Sequence, residues 1–233
     1  MSDEELRQLL TEGTEIPPGE LRLAEIRNRL TSRLTPVRAL PSNRILIAFA
    51  LAGFALICFL GTMYGGQKGW HALNPVQTIV YFGVFLLLAV LFAIAVVDQL
   101  IPGARRRIRP GWLMGGGALL LVALAPVLFE RFDVNRFVAR GIHCLEFGTV
   151  CAAIGGVLSF FLIRRGFLTS PLQAAALTGC FAGLAGVTAL GLVCPQLNAP
   201  HILVWHFGTI AIGTAAGALI GLVMEWRASQ KGN

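Results

Sequence analysis

The chain has 233 residues, 55% hydrophobic and 13% charged, with a mean hydropathy of +0.71. A water-soluble domain carries about 25% charged residues, so this composition excludes one and calls for helices that pack inside lipid. The formal charge of +7 does not point to nucleic acid, because the basic residues gather at the ends of apolar runs, where they set topology.

Residues 1–44 form a polar tail with seven Arg and seven acidic residues. Ser2-Asp3-Glu4-Glu5 has the form of a capping box ahead of Leu6, Leu9 and Leu10. Gly13, Pro17 and Pro18 mark a turn. From Gly19 onward, Leu23, Ile26, Leu30 and Leu34 recur at helical spacing, with Arg22, Arg27, Arg29 and Arg33 elsewhere on the wheel. Such a helix either lies on the membrane or bundle surface or docks a soluble partner; the pattern alone does not choose. The first apolar run begins near Ile45, after this mixed-charge tail, so no removable signal peptide is expected.

Six apolar runs follow, at about 45–63, 77–97, 112–129, 144–163, 171–193 and 202–224, each near the roughly 20 residues that a spanning helix needs. The expected fold is all-α: a polytopic integral membrane protein of six transmembrane helices. Its parts are the tail 1–44, a membrane domain 45–226 and a short C-terminal end 227–233. Pro126 sits where it can bend the third span. Seven Lys or Arg lie in the tail, four in the second connection, two in the fourth and two at the C-terminus, against one in the first connection, three in the third and none in the fifth. By the positive-inside rule both termini are cytoplasmic (N-in, C-in), and connections one, three and five face the other side. In a Gram-negative bacterium that is the inner membrane, with those connections in the periplasm.

All four histidines fall on this outer side: His71, His143, His201 and His206. Cys144 opens the fourth span and Cys194 closes the fifth, so both sit near the same face. Three chemistries fit them. A disulfide suits an oxidising compartment. A metal site could draw on Cys144, Cys194 and one or two of His143, His201 and His206, since thiolate and imidazole suit zinc or copper, although the spacing matches no compact zinc motif. An interfacial belt that includes His201, Trp205 and His206 is the third. Glu146, just inside the fourth span, is a functional candidate by its depth unless it reaches water. Asp98 and Glu225 read as interfacial charges, and Cys58, Cys151 and Cys180 as packing. Gly179, Gly183 and Gly186 in the fifth span and Gly213, Gly217 and Gly221 in the sixth make small faces for close helix contact. There is no Cys-x-x-Cys, no Gly-x-x-x-x-Gly-Lys, no His-Glu-x-x-His and no Gly-x-Ser-x-Gly, so no enzyme and no cofactor is called for.

The order of motifs in the last third goes further. Cys144-Leu145 is followed by Arg164-Arg165-Gly166, Ser170-Pro171, the glycines of the fifth span, Cys194-Pro195 and Trp205 early in the final span. This resembles the NrsF family, six-span bacterial membrane proteins that negatively regulate extracytoplasmic-function (ECF) sigma factors. The resemblance implies a membrane-bound anti-sigma factor whose tail holds a sigma factor, with no direct contact to nucleic acid. It also implies that Cys144 and Cys194 sense redox or metal stress. His143, His201, His206 and Glu146 are then candidate helpers, and Leu23, Ile26, Leu30 and Leu34 the candidate docking face. A small six-helix transporter or channel, with Glu146 at one mouth, and a membrane redox protein are the alternative readings. Few intramembrane charges count against the first, and the missing Cys-x-x-Cys against the second.

Overall fold

A computed structural model of the chain describes residues 41–100, 107–130, 137–163 and 170–231, and every regular element among them is helical. The elements are α1 (Asn43–Gly65), a short α2 (Lys68–Ala72), α3 (Pro75–Gln99), α4 (Pro110–Leu128), α5 (Phe137–Ile163) and α6 (Pro171–Val193). The last helix, α7, starts as an α-turn (Ala199–His201), passes through a π-helical turn (Ile202–His206) and continues as a long α-helix (Phe207–Lys231). All but α2 are long and apolar enough to cross a membrane, which makes six spans. The six-span, all-α fold expected from hydropathy is the one observed.

Local sequence explains where the helices start. Pro75, Pro110 and Pro171 each occupy the first turn, where a missing N–H costs nothing and φ is preset. Asn74 and Gln77 close a reciprocal capping box: the Gln77 N–H donates to Asn74 Oδ1 at 2.8 Å, and the Asn74 N–H donates to Gln77 Oε1 at 3.1 Å. Apart from α5 and α7, the expected spans lie within about two residues of the helices, as is usual for helix ends; α7 runs from Ala199 to Lys231, past both ends of the expected 202–224. α5 begins at Phe137, well before the expected 144, because Arg140 and His143 are helical residues and not loop.

α6 is the axis of the bundle. In its most apolar window 78% of residues are buried inside the protein, against 17–44% for the other spans. Its neighbours are α7, α5, α1 and α3. The α6–α7 contact is made by glycine. A Cβ on Gly179 or Gly217 would run into the backbone carbonyl of Gly213 or Ala175, and one on Gly183 would sit 2.7 Å from Ile210 Cα. Only hydrogen at these positions lets the two backbones touch. Large side chains such as Phe49, Phe59, Ile79, Leu86 and Leu119 point away from the bundle, as lipid-facing residues do.

Two contacts tie off the end of the bundle where α1 begins. Glu225 Oε1 on α7 accepts from the Leu172 N–H at 3.0 Å, so a carboxylate from one helix caps the N-terminus of another. Asp98 is 6% exposed; its Oδ2 accepts from the Arg107 N–H at 3.3 Å, and its Oδ1 lies 3.9 Å from Arg107 Nε. Both acids were expected as interfacial charges; each also fastens a neighbouring segment.

Candidate functional site

The opposite end of the bundle gathers the thiols and imidazoles. Cys144 projects from α5 about two turns from its start. Cys194 is the C-cap of α6, where its N–H donates to the Leu190 carbonyl at 2.7 Å. The chain then turns in four residues. Asn198, itself buried, accepts the His201 N–H on its side-chain oxygen at 3.0 Å and so starts α7. This cap fixes His201 over Cys194.

The two sulfurs are 3.2 Å apart, and both cysteines are free thiols. Cys194 Sγ also lies 3.6 Å from His201 Nε2. His206 completes the group, with its ring centroid 5.3 Å from that of His201. One ligand-type atom from each of Cys144, Cys194, His201 and His206 lies within 4.8 Å of all the others. Cys194, His201 and His206 are buried and Cys144 half-buried.

The π turn is what aligns the imidazoles. Five residues along an ordinary α-helix leave two side chains about 140° apart. Here the Phe207 N–H reaches back to the Ile202 carbonyl, an i→i+5 bond, and the widened turn brings His206 edge-on to His201. Such single π turns occur often at functional sites. Trp205, in the same turn, lies flat against Gly141 of α5, where a Cβ would collide with the indole. Its ring is 5.4 Å from that of Phe137.

The electrostatics are uneven. The hydrogen bond with Cys144 draws the Cys194 thiol well below its ordinary value, against the opposing effect of burial and with help from the nearby His201 and His206 imidazoles. Of the two sulfurs, Cys194 is thus the more readily deprotonated, and the thiolate is the nucleophilic and metal-binding form. His206 is 0% exposed, and neither ring nitrogen has a hydrogen-bond partner among the described residues.

Of the six outer-side candidates, the structure brings together Cys144, Cys194, His201 and His206 and leaves out His143 and Glu146. The latter two pair with each other at 3.4 Å on the outside of α5, with side chains 83% and 67% exposed. The reason is helical phase: steps of about 100° per residue put positions 143 and 146 on other faces than 144. His71 is also exposed, in α2. Leu23, Ile26, Leu30 and Leu34 lie outside the described residues. What the sequence reading lacked was the joint geometry of the two histidines; a His pair at i, i+5 beside a Cys-Pro turn gives no α-helical signal.

Chemically, the arrangement holds two thiols and two imidazoles in a buried corner. It is suited to sulfur oxidation or to capture of a soft cation. Against known proteins, one family model matches: NrsF, negative regulator of sigma F, over residues 30–226. No match to the chain was found among curated proteins or among solved structures.

Proposed function

The chain belongs to the NrsF family of negative regulators of sigma F, and from that premise we propose that it is a bacterial inner-membrane anti-sigma factor. Its tail, residues 1–44, docks an ECF sigma factor on the cytoplasmic side through Leu23, Ile26, Leu30 and Leu34, and keeps it from RNA polymerase. Thiol chemistry at Cys144 and Cys194, on the outer side, releases it. The Lys and Arg distribution supports this orientation.

The observation that carries the sensing half is the 3.2 Å approach of two sulfurs from different helices at one end of the bundle. Oxidation to a disulfide closes that gap by about 1.2 Å, to the S–S bond length. α6 links this end to the tail end: its 23 residues span about 35 Å at 1.5 Å per residue. A change at Cys194 therefore acts on a helix whose other end is fastened through Leu172 and Glu225.

A reporter driven by the cognate sigma factor tests the switch. Cys144→Ser with Cys194→Ser should leave the sigma factor bound and silent under thiol oxidant or metal. An unchanged stress response in that double variant refutes the sensing half. Failure of the full-length protein to retain any sigma factor, with loss of Leu23 and Ile26 making no difference to the reporter, refutes the docking half.

A further inference from the structure

We propose that Cys144, Cys194, His201 and His206 together form a four-ligand site for a divalent d¹⁰ cation of the zinc class. The inference deepens the sensing site of the preceding section: its use as a switch rests on that reading, whereas the binding itself does not.

Three observations support it. The first is the ligand set. Two sulfurs and two imidazole nitrogens, all within 4.8 Å of one another, make the S₂N₂ set that tetrahedral zinc takes. With Zn–S near 2.3 Å and Zn–N near 2.05 Å, such a tetrahedron has S···S, S···N and N···N edges of about 3.8, 3.6 and 3.3 Å. The Cys194 Sγ to His201 Nε2 distance is already 3.6 Å, and the sulfurs, at 3.2 Å, need to part by about 0.6 Å.

The second is His206. A fully buried imidazole with two ring nitrogens and no hydrogen-bond partner among the described residues breaks the rule that buried polar groups are satisfied. It is aimed into the cluster by a π turn, a backbone distortion that an apolar span does not require. A coordinated cation supplies the missing partner.

The third is charge. Binding releases the protons of both thiols, leaving two thiolates and two neutral imidazoles. A divalent cation makes that set neutral, which a membrane-embedded corner tolerates; a monovalent cation such as Cu⁺ leaves a net negative charge, which it does not.

The cation and the disulfide move the sulfurs in opposite directions. The ion wedges them apart and the S–S bond draws them together. A loaded site is thereby protected from oxidation, and the two inputs give the bundle two different displacements.

The experiment uses the reduced full-length protein in nanodiscs. It is incubated with Zn²⁺, Co²⁺ or Cu⁺ in separate arms and desalted, and bound metal is counted. Co²⁺ serves as the spectroscopic stand-in for zinc. The expected result is one Zn²⁺ per chain and a tetrahedral Co²⁺ spectrum with a thiolate charge-transfer band. Both should be lost in Cys144→Ser with Cys194→Ser. His201→Asn with His206→Leu should lose the ion or shift cobalt from its tetrahedral spectrum, while His143→Ala with Glu146→Ala binds as the parent does. Retained tetrahedral binding in the histidine variant overturns the four-ligand site. An octahedral cobalt spectrum, or retention of Cu⁺ alone, overturns the zinc-class assignment. Because no sigma factor is present, a failure here is distinct from a failure of the anti-sigma reading.

Discussion

His206→Leu separates what the site costs from what it does. In the metal-free protein, a buried polar group without a partner costs about 1–3 kcal/mol, and His206 is 0% exposed with both ring nitrogens unpartnered. Leucine keeps much of the imidazole's volume and removes both nitrogens. It forfeits the edge contact with His201, whose ring centroid is 5.3 Å away; such aromatic pairs contribute about 0.5–1.5 kcal/mol. The difference favours the variant by about 1 kcal/mol. For a chain of this size 1 kcal/mol corresponds to about 2–4 °C in Tm, so the metal-free His206→Leu protein should melt a few degrees above the parent. With zinc the order reverses. A ligand at 100 times its Kd stabilises the folded state by about 2.7 kcal/mol, and only the parent gains it in full. Tryptophan-fluorescence melting in nanodiscs, with chelator and with zinc, reads both. A metal-free variant that melts well below the parent refutes the reasoning, because it shows that His206 is already satisfied or is held by packing alone.

Three further outcomes are expected. Gly183→Val should destabilise by about 1–3 kcal/mol or more as overpacking, because its Cβ meets Ile210 Cα at 2.7 Å and the Thr209 carbonyl oxygen at 3.0 Å; Gly156→Ala, with nothing within 4 Å, should be neutral or raise the melting temperature in the same assay. Glu225→Ala should cost about 1 kcal/mol, the worth of a helix cap, with Glu225→Gln recovering part of it; equal melting of parent and Ala variant removes the cap at Leu172 from the stabilising contacts. Mild oxidation should join Cys144 to Cys194 and leave Cys58, Cys151 and Cys180 as thiols, since only the first pair lies at 3.2 Å; peptide mapping that finds another pairing refutes this.

The membrane fold was legible because its code is redundant. About twenty apolar residues in a row, bounded by Arg clusters or by Pro at a first turn, leave little choice. The glycine faces of α6 and α7 were legible too, from their four-residue spacing. The cysteine pair was brought to one membrane face by topology alone, without any distance. Three things were not legible. The start of α5 was hidden because Arg140 and His143 look like loop residues when the helix in fact runs on past the apolar stretch. The role of Glu225 was hidden because a cap given by a different helix leaves no local pattern at Leu172. The histidine pair was hidden because the reading frame of a helix is assumed constant, and α7 changes it at Ile202–His206. Glu146 was a candidate by its depth in the fourth span unless it reached water; helical phase turns it outward, where its side chain is 67% exposed and pairs with His143.

A π turn is the trace of one extra residue accommodated within an α-helix. Removing one residue between His201 and His206 would leave a His-x-x-x-His pair, which an ordinary α-helix presents on one face. The glycines of α7 would keep their direction toward α6, and so would both imidazoles. Val204, 49% exposed, is the residue whose loss disturbs the interior least. The same site can thus be spelled in a chain one residue shorter, and a change of length, which ordinarily wrecks a helix face, is here the edit that should preserve it.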